Sequence, residues 1–448
     1  MFSMRSARPP GLLAIALFTL AKPTFFIAQQ PTAVETISLT EALHRAQQNE
    51  PSFAAANAAQ KSASIDRYLA KTSMLPIAIY HNQVLYTQPN GQNNQGGQVG
   101  SQSAPVFIAN NAVREYASQA SIDETVGLRQ VAQARAATAD AARATAEFEI
   151  SRRGLVQTVV NLYYQVTATE SKRLFFEEAL QEATTFTNLT EKRELFREVA
   201  HADVVKAQLQ LQQRQRDLSN ATLESQKARL ELAVLLFPDP RTPYNTESST
   251  TPPVLPARDD VNRLASTANP ELRSALAEVQ STEADTLAAK AAYLPDLSLN
   301  FTYGIDAPEF AKNGPDGARN LGYSVSGTVD IPIWNWFSTE KRIKQSALRR
   351  DVAKINLTAT QRHLIAALEE AYAEAAAARD QITLLDQSVH TASESLRLTR
   401  LRYSAGESTA LEVVDAQDAY LRAQTDRVDG VTRYQDALAA LQMLTGTL

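Results

Sequence analysis

The sequence contains no cysteine among its 448 residues. This excludes disulfides, thiolate metal sites and a lipid anchor on an N-terminal cysteine. Glycine and proline are also scarce, at 15 and 19 residues, and the long runs of Ala, Glu, Gln, Arg and Leu between them indicate a mostly helical chain. The formal net charge is −5 and no Lys/Arg stripe is present, so nucleic acid is not expected as a partner. Beyond the first thirty residues there is no apolar run long enough to cross a membrane as a helix.

Residues 1–28 have the pattern of an export signal. Arg5 and Arg8 precede an apolar run that ends at Ala21, and a second apolar stretch ends at Ala28. The sequence does not fix the cleavage site, because Phe26 is bulky where a small residue is preferred. The alternative, a membrane anchor, needs about 20 consecutive apolar residues. We therefore predict an exported protein.

The rest of the chain is a duplication. Asp203-Val-Val with Ala207-Gln208 recurs 209 residues later as Glu412-Val-Val with Ala416-Gln417. Pro51 and Pro76 recur 219 residues later as Pro270 and Pro295. The offset therefore falls from 219 to 209 residues along the repeat, which means that the first copy has 10 extra loop residues. The sequence thus predicts repeats at 37–236 and 259–448. Residues 237–258 are a Pro-rich connector that cannot be helical.

Each repeat contains a predicted β-hairpin between helical segments. Apolar and polar residues alternate over 296–305 and again over 321–331, which indicates two strands with one apolar and one polar face. The corresponding strands of the first copy are 77–86 and roughly 106–122. Their alternation is poorer, because Arg114 falls on the apolar side.

Long helices follow the hairpins. One is predicted from Glu124 to about Val199 and another from Phe337 to about Tyr403, each roughly 100 Å long at 1.5 Å per residue. They are too polar for lipid. Four strands cannot span a membrane alone, because an open sheet leaves edge groups unsatisfied in lipid. Several copies must therefore pool strands into one barrel, unless the chain is a soluble helical bundle with two small hairpins.

Three motifs carry a resemblance to the TolC family of outer-membrane efflux proteins. They are the repeated Asn-Pro…Leu-Pro strand pattern at Asn269–Pro295, the strand exit Asp330-Ile-Pro-Ile-Trp334, and Tyr403-Ser-Ala-Gly406 with Val413-Val414-Asp415-Ala416-Gln417. The resemblance implies a mostly α fold with a membrane β-barrel part. A homotrimer would form a 12-stranded barrel in outer-membrane lipid and an α-helical barrel across the periplasm. It also implies a periplasmic adaptor and an inner-membrane pump as partners, and a duct that catalyses nothing and needs no cofactor.

The resemblance also suggests a gate at the helical tips. By motif match, Glu412 and Asp415 would line its narrowest point, where three copies of each carboxylate would raise one another's proton affinity. The plainer interpretation is a solvated acidic helix face continued by Asp418. Gly406 suits the left-handed residue that ends a helix, and Ser408 or Thr409 can cap the next one.

The family prototype closes its entrance by linking an Asp to a Tyr and an Arg. Asp203 and Tyr403 match the Asp and the Tyr, but Ser408 occupies the Arg position. We therefore expect closure to rely on Tyr403, with Arg197 or Arg402 in place of the missing base.

Trp334 and Trp336 are expected as interfacial aromatics where strand becomes helix, with core packing as the alternative. No metal-ligand pairing and no catalytic motif is apparent. The alternative function is a periplasmic coiled-coil scaffold or adaptor. Such a protein would share the long helices but would lack the lipid-facing alternation. The cargo, the pump and the adaptor are not encoded in these motifs.

Overall fold

The computed structural model describes residues 35–86, 114–247, 253–307, 309–314, 317 and 319–447. The predicted export signal, residues 106–113 of a predicted strand and residues 248–252 of the connector lie outside this range. The described elements, in chain order, are β1 (Glu35–Ile37), α1 (Leu39–Asn49), α2 (Pro51–Thr72), β2 (Ile77–Tyr86), β3 (Arg114–Val126), α3 (Leu128–Leu195), α4 (His201–Leu236), β4 (Tyr244–Thr246), α5 (Arg258–Ala268), α6 (Pro270–Ala291), β5 (Asp296–Ala307), β6 (Leu321–Asp330), α7 (Ser338–Ser404) and α8 (Ala410–Thr445).

The two hairpins form one antiparallel sheet in the order β2-β3-β5-β6. The register places Phe301 opposite Val325, and their neighbours Asn300 and Ser326 opposite each other. Directly opposed residues share a face of a sheet, so β5 and β6 have one apolar and one polar face, as their alternation predicts. Within the described residues, β2 and β6 each pair along one side only.

β3 continues to Val126, whereas the sequence analysis ended this strand at Ile122 and began the helix at Glu124. The cause is the partner strand. β2 pairs with β3 only as far as Asp123, but β5 continues the ladder, with Val126 opposite Leu297. This non-local pairing overrides the helical pattern after Asp123, and α3 begins at Leu128 instead.

Helices α3 and α7, of 68 and 67 residues, are each roughly 100 Å long. α3 packs against α4, and α7 packs against α8, so each repeat ends in a long helical hairpin. The two hairpins contact each other through α3 with α8 and through α4 with α8. At the end nearer the sheet, α6 lies against both α3 and α7.

The main core lies where a small parallel sheet joins the first repeat to the connector. β4, inside the predicted Pro-rich connector, pairs with β1, so the first residue of the predicted repeat, Ile37, lies in a strand. Tyr163 is buried there and its hydroxyl donates to the Ile37 carbonyl at 2.9 Å. Val159 and Leu232 are fully enclosed beside it. The connector is thus a packed element, and α5 begins at its last residue, Arg258.

A buried guanidinium joins the two repeats. Arg153 on α3 donates to the carbonyls of Ala268 at 3.0 Å and Met443 at 3.1 Å, which lie at the C-terminal ends of α5 and α8. Glu149, one helical turn before Arg153, accepts from its Nε at 2.8 Å. Because the last carbonyls of a helix have no partner within the helix, Arg153 satisfies a group at each of two helix ends. Gly446 closes α8 with φ of 77°, and its Cα lies against this guanidinium.

Candidate functional site at the helical tips

Two short turns form the tips of the helical hairpins. In the second repeat, Gly406 has φ of 78°, the left-handed conformation predicted for it. The Thr409 side chain then caps α8 by accepting from the Glu412 backbone N–H. The Glu412 side chain in turn accepts from the Thr409 backbone N–H, which completes a capping box. In the first repeat the equivalent position is Arg197, which also adopts a positive φ, of 58°. A non-glycine residue in this region is strained, so the first turn keeps the shape of the second at an energetic cost.

Tyr403 lies between the two hairpins. Its side chain is 4% exposed and packs with Phe186 of α3, Ala207 of α4 and Val413 of α8. The Tyr403 and Thr190 hydroxyls are 3.3 Å apart. Because Thr190 donates to the Phe186 carbonyl at 2.9 Å, the Tyr403 hydroxyl is the donor in this pair.

Arg193, which the sequence analysis did not single out, binds the end of α7. Its two terminal nitrogens donate to the carbonyls of Tyr403 and Ser404, each at 2.8 Å. The guanidinium carbon also lies 4.9 Å from the centre of the Tyr403 ring, a cation–π distance. Arg193 thus closes the C-terminus of a helix in the other repeat. The 209-residue offset offered a signal, because Arg193 is the repeat equivalent of Arg402.

The predicted gate carboxylates differ in their surroundings. Glu412 accepts from the Ser408 hydroxyl at 2.9 Å, and Arg402 lies 3.6 Å from the same oxygen. The Ser408 hydrogen bond, followed by the bond to Thr409, lowers the pKa of Glu412. Within one chain, local partners therefore favour the charged form. No hydrogen bond or ion pair joins the side chains of Asp415 or Asp203 to another group in the described part of the chain.

The structure therefore shows only part of the contacts that were predicted to close the entrance. Arg402 reaches Glu412, whereas the guanidinium of Arg197 makes no ion pair with the described residues. Asp203 does not bind Tyr403; the Tyr403 hydroxyl is bound to Thr190 instead.

Three further ion pairs, farther from the tips, connect the α3–α4 hairpin to the α7–α8 hairpin. Arg400 of α7 pairs with Glu182 of α3 at 2.5 Å. Arg214 of α4 pairs with Asp418 of α8, and Arg214 is almost buried. Farther from the tip, Lys172 of α3 pairs with Asp429 of α8 at 2.5 Å. These ion pairs join one helical hairpin to the other along their contact.

At the other end of α7, the strand-to-helix junction exposes a cluster of aromatic side chains. The rings of Trp334 and Trp336 meet edge to face at 5.7 Å, and Phe337 lies 5.3 Å from Trp334. Trp336 and Phe337 both have positive φ, so the backbone there is held in an unusual turn. Since Trp336 is 83% exposed, core packing within the chain does not account for this cluster.

Other kinds of site were sought among the residues that the structure describes. None of the described helices is both long and apolar enough to cross a membrane. No three His, Asp or Glu side chains of the described residues converge in a way that could hold a metal ion.

The sequence and the fold match known proteins. Residues 262–447 match the outer membrane efflux protein family model. The chain is 26% identical to outer membrane protein OprJ of Pseudomonas aeruginosa over 172 residues. This match covers 38% of this chain and 36% of OprJ. It is 23% identical to the pyoverdine export outer membrane protein OpmQ of Pseudomonas putida, over 98% of this chain and 96% of OpmQ.

Solved structures share the fold. The Campylobacter jejuni CmeC outer membrane channel superposes with a TM-score of 0.77 at 14% identity, over 91% of this chain and 85% of CmeC. The outer membrane protein VceC of Vibrio cholerae gives 0.75 at 18% identity, over 91% of this chain and 96% of VceC. The predicted fold class and family resemblance are confirmed. Residues 262–447 therefore resemble outer membrane efflux proteins in sequence, and most of the chain shares the fold of solved outer membrane channels.

Proposed function

We propose that three copies of this chain assemble into a passive exit duct, with twelve strands in the outer membrane and a helical tunnel in the periplasm. The observation that carries this proposal is the four-stranded sheet with an apolar face and two open edges. Lipid offers no hydrogen-bonding partner to an open edge, so the sheet must be closed by strands of other copies.

The resemblance to outer membrane efflux proteins suggests the cellular setting of this chain. The protein is located in the outer membrane, with its helical part in the periplasm. Members of the family are channels and form trimers within tripartite efflux systems that include an adaptor and a pump. We propose that this chain likewise docks to one periplasmic adaptor and one inner-membrane pump, and that the pump supplies the energy and selects the cargo.

The exposure of the sheet supports its insertion into lipid. Val325 and Tyr323 on β6 are 70% and 75% exposed in the single chain, although both are large and apolar. A soluble protein rarely leaves such a row of side chains in water, whereas a barrel strand presents it to lipid. The Trp334–Trp336–Phe337 cluster lies where this strand leads into α7, which fits the membrane interface.

For the gate, we propose that the closed state is held at the junction of the two hairpins. Tyr403 fills the space between them, and Arg193 ties the end of α7 to α3. Arg402, close to Glu412, takes the place of the base that is missing at Ser408. In the trimer, Glu412 and Asp415 would form the acidic ring at the narrowest point.

The assembly is tested by two matched substitutions on one strand. Val325→Arg places a charge on the apolar face, where it costs about 2–4 kcal/mol at the bilayer centre. Ser326→Arg places the same charge on the opposite face, which the proposal assigns to the lumen. We expect outer membranes to yield a detergent-dependent trimer, by light scattering, for the wild type and Ser326→Arg but not for Val325→Arg.

A monomer or dimer that is recovered without detergent from the periplasmic fraction would refute the shared barrel. Equal assembly of the Val325→Arg and Ser326→Arg variants would refute the assignment of the two faces. The purified trimer should also conduct ions in planar bilayers.

A further inference from the structure

A groove about 460 Å³ in volume lies beside the tip, between α3, α7 and α8. This size falls in the range of small-molecule sites in proteins. One wall is apolar and includes Phe186, Leu189 and Val413, and the polar side includes Glu178 and Gln417. Helix packing alone does not require such a space to be lined by both kinds of group.

Gln417 is the first indication of a ligand. Its side chain is 7% exposed and lines the groove, yet its Oε1 atom has no hydrogen-bond partner in the described structure. Buried polar atoms are nearly always paired, so an unpaired acceptor on a residue that lines a groove is a feature to be explained. The amide oxygen can only accept, and the missing partner must therefore be a donor.

The charge of the groove is the second indication. Glu182 is neutralised by Arg400, whose guanidinium lies 2.5 Å away. Glu178, also on the groove, makes no ion pair with any residue that the structure describes. Both carboxylates and Gln417 also line a smaller adjoining cavity, so Glu178 and Gln417 border the same two spaces. The groove therefore combines one carboxylate that has no ion pair among the described residues with one buried acceptor.

We propose that this groove binds a small organic amine with an apolar body. Its ammonium group donates to Gln417 Oε1 and to the Glu178 carboxylate, and its body packs against Phe186 and Leu189. An anion is disfavoured because Glu178 repels it and because an anion cannot donate the hydrogen bond that Gln417 Oε1 lacks. A purely apolar molecule would leave the buried oxygen unpaired, which is unfavourable.

Phenylbutylamine and phenylbutanol are suitable probes, because they share the apolar body and differ in the charged donor group. Binding to the native trimer in lipid nanodiscs is measured by equilibrium dialysis against empty nanodiscs. We expect the amine to bind at least about tenfold more tightly than the alcohol, since a paired charge in a partly enclosed site is worth more than in water. This measurement does not depend on channel activity, so its failure would leave the proposed function intact.

Three variants test the assignment. Glu178→Gln should weaken binding of the amine by about tenfold and leave binding of the alcohol nearly unchanged, because only the amine is charged. Gln417→Met should weaken binding of the amine by about tenfold and binding of the alcohol by less, because the hydroxyl of the alcohol donates only a neutral hydrogen bond to Gln417 Oε1. Glu177→Gln is the matched control, because Glu177 neighbours Glu178 but pairs with Arg173 of its own helix at 2.9 Å and does not line the groove. Its affinity for both probes should equal that of the wild type. Trimer mass and helical circular dichroism establish that each variant is folded.

Equal affinity for the two probes would overturn the proposal, because the groove would then be only a hydrophobic recess. Amine binding that survives both Glu178→Gln and Gln417→Met would also overturn it. If a neighbouring copy covers the groove in the trimer, neither probe will bind, and the proposal is likewise refuted.

Discussion

Replacing Arg193 with glutamine should weaken the closed state of the gate. In the proposed mechanism, opening moves the end of α7 away from α3, and this movement must break the two bonds from Arg193 to the Tyr403 and Ser404 carbonyls. Both bonds are 2.8 Å long, and the same guanidinium covers the Tyr403 ring. Glutamine is too short to make the two bonds together and carries no charge.

The size of the effect follows from the exposure of the contact. A hydrogen bond from a charged group contributes about 1.5–3 kcal/mol when it is shielded from water. The Arg193 side chain is 19% exposed, so water can partly replace the lost bonds. We therefore expect a loss of about 2 kcal/mol for each protomer, which is roughly a 30-fold shift of its equilibrium toward opening. Tyr403→Phe should shift it less, by about 0.5–1 kcal/mol, because Thr190 keeps its bond to Phe186.

The assay is the open probability of single trimers in planar bilayers. The control is Arg397→Gln, which removes a guanidinium whose one ion pair among the described residues is with Glu394 on the same helix. The expected order of open probability is Arg193→Gln, then Tyr403→Phe, then the control together with the wild type. The gate as we describe it would be refuted if Arg193→Gln conducted like the control, or if Tyr403→Phe opened more often than Arg193→Gln.

Two further predictions concern the junction between the repeats. Hydrogen bonds from Arg152, followed by those from Arg153, lower the pKa of Glu149 from its ordinary value of 4.5 to about 2. The charged Glu149 therefore stabilises the fold fully above pH 4.5, and this contribution is lost as the pH falls through about 2. Glu149→Gln should therefore lower the free energy of unfolding by about 2–3 kcal/mol near neutral pH and by progressively less in acid. The melting temperatures of the variant and the wild type should converge as the pH is lowered. A constant difference in melting temperature at every pH would contradict this prediction. Gly446→Ala should lower the melting temperature more than Gly406→Ala, because an added Cβ would lie 2.4 Å from Arg153 in the first case and meets nothing within 4 Å in the second; equal shifts would show that the Arg153 contact is unimportant.

The sheet was predictable from sequence where its alternation is regular. β5 has an apolar residue at every second position, β6 does so except at Gly327, and the structure has these strands at Asp296–Ala307 and Leu321–Asp330. The end of β3 was not predictable, because within the described structure residues 124–126 pair only with residues 171–175 positions away. Alternation describes one strand, whereas strand length also depends on a partner that the local sequence does not reveal.

The connector illustrates the same limit. Its prolines predict the absence of a helix, but they gave no indication that Tyr244–Thr246 would pair with Glu35–Ile37. Local composition restricts which backbone shapes a segment can adopt. It does not say which distant segment will supply the hydrogen bonds, and here that partner lies about 209 residues earlier in the chain.

At the proposed gate, the duplication identifies a residue that lies outside the motif by which the duplication was recognised. The family comparison drew attention to Ser408, where a base is missing, and suggested Arg197 or Arg402 in its place. The structure instead gives the larger contact to Arg193, the repeat equivalent of Arg402. Both arginines occupy the last turn of a long helix, where a positive charge is favoured by the helix dipole. In the first repeat that arginine reaches across to the α7 terminus, and in the second it lies beside Glu412. In the closure that we propose, equivalent positions of the two repeats thus provide the two halves, which a search confined to the second repeat cannot find.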